Sequence, residues 1–205
     1  MDRKKVTVPT FKTSEKDYTS RLLNLQSKWW KKVFNVQLPY IYNLKRLNPG
    51  YMLDVGCGVG RYLKLKWVKG VGIDHNPHSV ECCQAMGLKA YTPNEFANSD
   101  EFRPETFDSL LFAHVFEHLN PNESESLLGE YLGLLKPDGK IILMTPQEKG
   151  FKSDRTHLEF IDFTGLSKLA SAIGWKVSRQ YSFPFPRWAG RVFTHNEFVA
   201  VLTKV

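Results

Sequence analysis

A chain of 205 residues with 42% hydrophobic content has the size of one α/β domain, and it has no run of about 18 apolar residues that could span a bilayer. The charged opening "MDRKKVTVPTFK" lacks the apolar stretch of a secretory signal. Cys57, Cys82 and Cys83 suit neither a disulfide framework nor a CxxC zinc site, so reduced thiols in the cytoplasm are expected. The net charge of +7 is unevenly placed: residues 1–48 carry 11 Lys/Arg against 3 Asp/Glu, and residues 49–205 carry 17 against 18. Such an excess is either a solvated helix face or a positive cap that attracts an anionic partner.

In chain order, residues 1–48 read as a basic helical cap or lid. Leu22, Leu25, Trp29 and Val33 recur at helical spacing after a Ser14 start with Asp17 three residues on. "NVQLPYIYNLKRLNPG" holds a second short helix that Pro49 and Gly50 stop. From Tyr51 the pattern alternates. "YMLDV", the run ending at Ile73, "KAY", "FDSLLF" and "KIILMT" read as strands. Helices are expected after the glycines at 56–60, from Pro77 to Met86, and from Asn120 along Leu127, Leu128, Tyr131, Leu132 and Leu135. "KPDG" at 136–139 turns the chain into the next strand, and a helix over "FTGLSKLASAIG" precedes two final strands, "WKVSRQYSF" and "NEFVAVLTKV". Alternating strands and helices predict a parallel sheet covered on both faces.

The most informative stretch is "MLDVGCGVGRYL", residues 52–63, where an apolar strand ends at an acid and Gly56, Gly58 and Gly60 follow. Glycines between a strand and a helix allow positive φ and bring backbone N–H groups against a ligand at the carboxyl edge of a parallel sheet. Asp74, 18 residues beyond Gly56 at the end of the second strand, can accept both hydrogen bonds of a ribose diol, which points to an adenosine compound. A dinucleotide site needs a small residue where Arg61 stands, and no Gly-Lys-Ser/Thr of a P-loop follows.

These residues resemble the class I, Rossmann-like S-adenosylmethionine-dependent methyltransferases. "LDVGCGVG" is similar to that family's first motif and "GVGIDHNP" to its second, "FDSLLFAHVFEHL" to the segment around its fourth strand, and "LLKPDGKIILMTP" to the approach to its fifth. The resemblance covers Tyr51 to Val205. It implies an α/β, doubly wound, mostly parallel seven-stranded sheet with an antiparallel last strand, and a methyltransferase domain over 49–205 behind the cap. It also implies S-adenosylmethionine as cofactor and S-adenosylhomocysteine as product. Asp54 and the turn of Gly56, Cys57, Gly58 and Gly60 would bracket the methionine moiety, with Asp54 towards its ammonium. Asp74 would hold the ribose, His75 would lie against the adenine, and Ala113 and His114 would line the methyl-transfer side. In place of the family's acid after the third strand, "AYTPNEF" offers Thr92, Asn94 and Glu95.

"HVFEH", residues 114–118, also matches the H-x-x-E-H zinc-protease pattern, with His114 and His118 as ligands, Glu117 as base and Glu197 as a third ligand. That reading leaves the glycines and Asp74 unexplained, so no metal is expected. A domain that holds the cofactor without chemistry is the remaining alternative. "FAHV" lacks the Asn/Asp-Pro-Pro-aromatic pattern of nucleobase amino methyltransferases, and nucleic acid is not the expected partner.

A small-molecule acceptor is expected instead. If the sixth strand runs parallel to the others, the loop "SFPFPRWAGRVFTHN" overhangs the site. Arg187 and Arg191 could then grip a carboxylate or phosphate beside Trp188 and His195, while Phe183 and Phe185 pack the hairpin. Methyl transfer to a hydroxyl needs a base. His114, His118 and His157 are the candidates, His114 and His157 foremost, with Glu117 or Asp154 to orient an imidazole. O-methylation of a sugar or secondary metabolite is the favoured reaction, with N-methylation of a small amine as the alternative.

Overall fold

The computed structural model of the protein describes residues 37–205. The amphipathic stretch 22–34 and its Ser14 start lie outside the described residues. Seven strands form one sheet in the order β3-β2-β1-β4-β5-β7-β6. They are β1 (Tyr51–Val55), β2 (Lys69–Ile73), β3 (Ala90–Tyr91), β4 (Phe107–Ala113), β5 (Leu135–Pro146), β6 (Trp175–Phe183) and β7 (Glu197–Lys204). β1 to β5 pair in parallel, and β7 lies antiparallel between β5 and β6. Strand β6 therefore runs with the parallel set. The chain builds outwards from β1 to β3, then returns to place β4 on the other side of β1, and that reversal opens a crevice at the carboxyl ends of β1 and β4.

Period-two patterning in the strands sends alternate side chains to opposite faces. Leu53, Leu110, Phe112, Ile141, Leu143, Ala200 and Leu202 join one apolar cluster, together with Leu128 of α4 (Pro121–Tyr131) and Leu166 and Leu169 of α6 (Phe163–Ala172). Met52, Leu111, Ile142, Met144, Val199 and Val201 point the other way and bury Leu44 and Leu47 of α1 (Gln37–Leu47). The second short helix of the basic segment is thus packed on the sheet. Its end is fixed by Lys140 Nζ, which donates to the Leu47 carbonyl at 2.7 Å. Tyr181 donates to Asn43 Oδ1 at 2.6 Å and ties α1 to β6.

Three local expectations change. After the glycines the chain forms successive turns over 57–67, with Gly60 N bonded to Cys57 O, Lys64 N to Gly60 O and Leu65 N to Tyr62 O. Few residues separate Gly60 from β2, and this mixture of three- and four-residue bonds closes the gap without a helix. "KPDG" lies within β5 as an irregular insertion: Phe107 pairs with Leu135, and the register resumes at Ser109 with Lys140. The chain also carries short helices at α3 (Pro93–Ala97) and α5 (Glu148–Phe151), beside α2 (Pro77–Ala85).

Candidate active site

Four strand ends and the start of β7 converge at the crevice. Asp54, next to last in β1, is almost fully buried, and its Oδ2 has no hydrogen-bond partner. Burial, with a smaller push from Asp74 and against the pull of Arg61, raises its pKa to about 7. Gly56 N and Cys57 N both donate to Ile73 O, at 2.8 and 3.0 Å, so the turn is bound to the end of β2. Gly58 N donates to Asp74 Oδ2 at 2.7 Å, and Asn76 N to Asp74 Oδ1 at 2.9 Å. Burial raises the pKa of Asp74, opposed by His75 and by those two N–H groups.

Gly56 has φ of +77°, and a Cβ on it would stand 2.5 Å from Val115 Cγ2. Gly56→Ala is expected to cost about 1–3 kcal/mol of stability from the strained backbone alone, as urea unfolding would measure. Cys57 is buried in the turn, and Gly72 admits its Sγ, which would lie 2.6 Å from a Cβ there. His75 follows, partly buried, with Nδ1 3.8 Å from Asp74 Oδ1. Thr92 is engaged otherwise. Its hydroxyl caps α3 in a reciprocal box with Glu95, whose carboxylate takes Thr92 N at 2.7 Å and Thr92 Oγ1 at 3.0 Å.

Ala113 ends β4 beside Met144, and His114 continues the ladder, its N donating to Met144 O at 2.9 Å. His114 turns the chain with φ of +61°. Its Nδ1 lies 3.1 Å from Glu117 Oε1 and its Nε2 2.9 Å from Glu197 Oε1. Both carboxylates are buried, and each has its other oxygen without a partner. Burial alone would lower the imidazole pKa, but the two hydrogen bonds outweigh it and raise it to about 10. An imidazolium that donates from both nitrogens has no lone pair with which to take a proton, so the base expected at His114 does not suit this geometry. The zinc-protease pattern is not formed either. His114 stands at a strand end and His118 in a 3-10 turn (Phe116–His118), so the two histidines share no helix face.

His118 and His157 do come together. Leu158 N and Glu159 N donate to Glu117 O, at 2.6 and 3.2 Å, and fasten the loop after α5 onto the 3-10 turn. The two imidazoles meet edge to face with centroids 4.9 Å apart. His118 Nδ1 is 3.2 Å from Thr156 O and His157 Nδ1 is 2.8 Å from Phe151 O. A carbonyl only accepts, so each Nδ1 carries a hydrogen, and in the neutral form of either ring Nε2 is the atom that holds the lone pair.

The loop after β6 is anchored rather than open. Asn196 Nδ2 donates to Gln147 Oε1 at 3.0 Å, and Gln147 Nε2 to Ser182 Oγ at 2.8 Å. Arg187 forms a two-pronged ion pair with Glu148 (2.8 Å through Nη1) and covers the Phe198 ring at 4.7 Å. Its fork is therefore committed within the chain, unlike the substrate grip expected of it. Arg191 lines an open groove of about 450 Å³ with Glu148, Lys149 and Lys152. Trp188 is exposed, and His195 sits where its carbonyl receives the Tyr40 hydroxyl of α1. Phe185 packs edge-on against Phe193 within the hairpin, as expected, whereas Phe183 packs edge-on against Tyr40 of α1. Arg61 lies over the rings of Tyr40 and Tyr62 at 5.4 and 5.3 Å. It is the cation that sequence reasoning used only to exclude a dinucleotide.

A seven-stranded sheet with this order, a glycine turn after β1 and an acid after β2 define the class I S-adenosylmethionine-dependent methyltransferase fold. Residues 30–187 match a family model described as "Methyltransferase domain", and the chain belongs to that family. It is 26% identical over 151 residues to norajmaline N-methyltransferase of Rauvolfia serpentina, a match covering 64% of this chain and 51% of that one. The chain thus spans about half the length of that curated relative. Among solved structures it is similar to a SAM-dependent methyltransferase from Archaeoglobus fulgidus (TM-score 0.63, 17% identity, 80% of this chain and 93% of that chain). It is also similar to 1,6-didemethyltoxoflavin-N1-methyltransferase of Burkholderia thailandensis, solved with 1,6-didemethyltoxoflavin and S-adenosylhomocysteine (TM-score 0.59, 19% identity, 98% and 93%). No described helix is long and apolar enough to cross a membrane.

Proposed function

We propose that the protein transfers a methyl group from S-adenosylmethionine to a hydroxyl of a small molecule, such as a sugar or secondary metabolite. The observation that carries the cofactor reading is the unpartnered, buried Oδ2 of Asp54 beside a glycine turn with no room for side chains. A buried carboxylate oxygen without a donor suits an ammonium group. Asp74 keeps lone pairs beyond the two N–H bonds it accepts, and these suit a ribose diol. His75 is the neighbour for the adenine. Thr92, whose hydroxyl and N–H are both taken by its cap and whose carbonyl accepts from Phe96 N, keeps only the second carbonyl lone pair for an adenine amine. The cofactor supplies a methyl group already activated as a sulfonium substituent. The chain's own task is to align the acceptor and receive its proton.

The hydroxyl reading rests on His118 and His157, whose Nε2 atoms hold lone pairs beyond the end of β4. Burial lowers the pKa of His118 and keeps that imidazole neutral. His114, fixed between Glu117 and Glu197, serves to hold the two strand ends in place. Residues 1–48 are read as the lid over 49–205, because α1 already reaches Tyr181 and the loop after β6. The cationic groove at Lys149, Lys152 and Arg191 suits an anionic acceptor. Three free cysteines agree with a reducing, cytoplasmic setting. N-methylation is the second reading, favoured by the names of two similar proteins, both N-methyltransferases.

Calorimetry should show binding of S-adenosylmethionine and S-adenosylhomocysteine. Asp74→Ala should weaken both at least tenfold, since a hydrogen bond to a charged group is worth about 1.5–3 kcal/mol. Tight binding of NADH in their place would overturn the reading. Labelled methyl donor offered with matched hydroxyl and amine acceptors separates the two reactions.

A further inference from the structure

We propose that Glu117, His118 and His157 form a site for one divalent transition-metal cation of the zinc type. The three residues offer ligand atoms that all lie within 4.8 Å of one another. Each of the three residues also keeps one donor atom for which no hydrogen bond within the chain is recorded. Glu117 is fully buried, and while its Oε1 receives His114 Nδ1, its Oε2 has no partner. His118 and His157 give their Nδ1 hydrogens to the carbonyls of Thr156 and Phe151, which leaves both Nε2 lone pairs unengaged. That arrangement is how metal-binding imidazoles are commonly oriented, with the second ring nitrogen donating to a backbone carbonyl.

Two neighbouring histidines are often mere packing, and the edge-to-face contact of these rings has that appearance. Packing leaves the orphaned oxygen of Glu117 unexplained, since an unpaired buried acceptor costs about 1–3 kcal/mol and a charged one more. A cation satisfies it. The backbone bonds from Leu158 N and Glu159 N to Glu117 O hold the two halves of the site in register before any ion arrives. Two imidazole nitrogens and one carboxylate oxygen suit Zn²⁺, Co²⁺ or Fe²⁺ better than Mg²⁺ or Ca²⁺, and three protein ligands leave coordination positions open. Where the acceptor is a hydroxyl, which rests on the function proposed above, its oxygen in such a position would lose its proton to solvent more readily, and the two Nε2 atoms would then act as ligands in place of proton acceptors.

The test uses the full chain, freed of any affinity tag and stripped with EDTA, then equilibrated separately with Zn²⁺ and Co²⁺. One zinc per chain by elemental analysis and visible ligand-field bands with Co²⁺ are expected. His118→Ala and His157→Ala should each weaken retention by more than the roughly 10–100-fold that loss of an outer-shell partner costs. Glu117→Gln should do the same. If that buried variant fails to fold, the half-buried His157→Ala decides. His78→Ala, at the start of α2, should change nothing. Absence of stoichiometric retention, or retention untouched by both histidine replacements, overturns the site. Calorimetry of S-adenosylmethionine on the stripped protein reads the methyltransferase function separately, so either proposal can fail alone.

Discussion

Asp54→Asn is expected to weaken S-adenosylmethionine binding roughly 30-fold or more, while leaving the free protein at least as stable at pH 8. The affinity loss follows from removing one partner of a buried charge pair, which costs about 2–5 kcal/mol. The stability result has the opposite sign because the carboxylate is a liability when the site is empty of a cation. Its pKa is raised to about 7 by burial and by Asp74, with Arg61 opposing, and its Oδ2 has no partner. A group whose folded pKa is raised favours the fold while protonated, and that contribution is lost as pH rises through the folded value.

Binding runs the other way. The ammonium needs the anion, so below pH 7 each binding event must release a proton. Affinity should fall about tenfold per pH unit below 7 and level off above it. The groups facing Asp54 are Asp74, Arg61, Tyr62, Cys57 and Cys83. Of these, Asp74 is the other carboxyl, and burial raises its pKa as well. Calorimetry of wild type and Asp54→Asn between pH 5.5 and 8.5, as rough bounds, reads both effects. A wild-type profile as flat as the variant's would remove Asp54 from the ammonium site.

The parts of this fold that were legible in the sequence are those encoded locally. Period-two runs such as "YMLDV" and "KIILMT" become β1 and the second half of β5, because each residue's face is fixed by its own position. Glycines at 56, 58 and 60 all take positive φ, which their side-chain-free backbones permit at little cost. The helix expected after them fails for a reason of length: the chain must reach Lys69 too soon. α5 spans only Glu148–Phe151, too short for any periodicity to announce. The capping box was readable, since Thr92-Pro93-Asn94-Glu95 is the pattern itself. The same residues are those that the family resemblance offers to the adenine, and the local cap engages them first.

The site divides along similar lines. Asp54, Asp74 and the glycines are set by a strand end and a turn, and their convergence needs only a parallel sheet. The histidines are different. Glu197 reaches His114 across 83 positions of sequence, and it does so because β7 enters the sheet antiparallel with its first residue opposite Pro146. Likewise, Arg187 reads as a free cation until Glu148, 39 positions away, is seen to hold it. Residue type announced the chemistry available, but only strand pairing decided which atoms were already taken. His118 and His157 carry the pattern in reverse: nothing local marks them as neighbours, and a bond from Leu158 N to Glu117 O makes them so.

His114→Ala is expected to cost about 3–5 kcal/mol of stability, the usual consequence of removing one member of a buried ion pair. Glu117 and Glu197 would both keep their burial and lose the donor they share, leaving two carboxylates with no cation between them. The φ of +61° adds strain for alanine that asparagine tolerates better. Asparagine can also donate one N–H, so His114→Asn should recover part of the loss. A base with a free lone pair predicts the contrary pattern. Its removal would slow turnover and barely move the unfolding midpoint, because no buried group would depend on it. Urea unfolding of wild type, His114→Ala and His114→Asn distinguishes the two. A midpoint for His114→Ala within experimental error of wild type would show that the imidazole is not the pin between β4 and β7, and would return it to the list of proton acceptors.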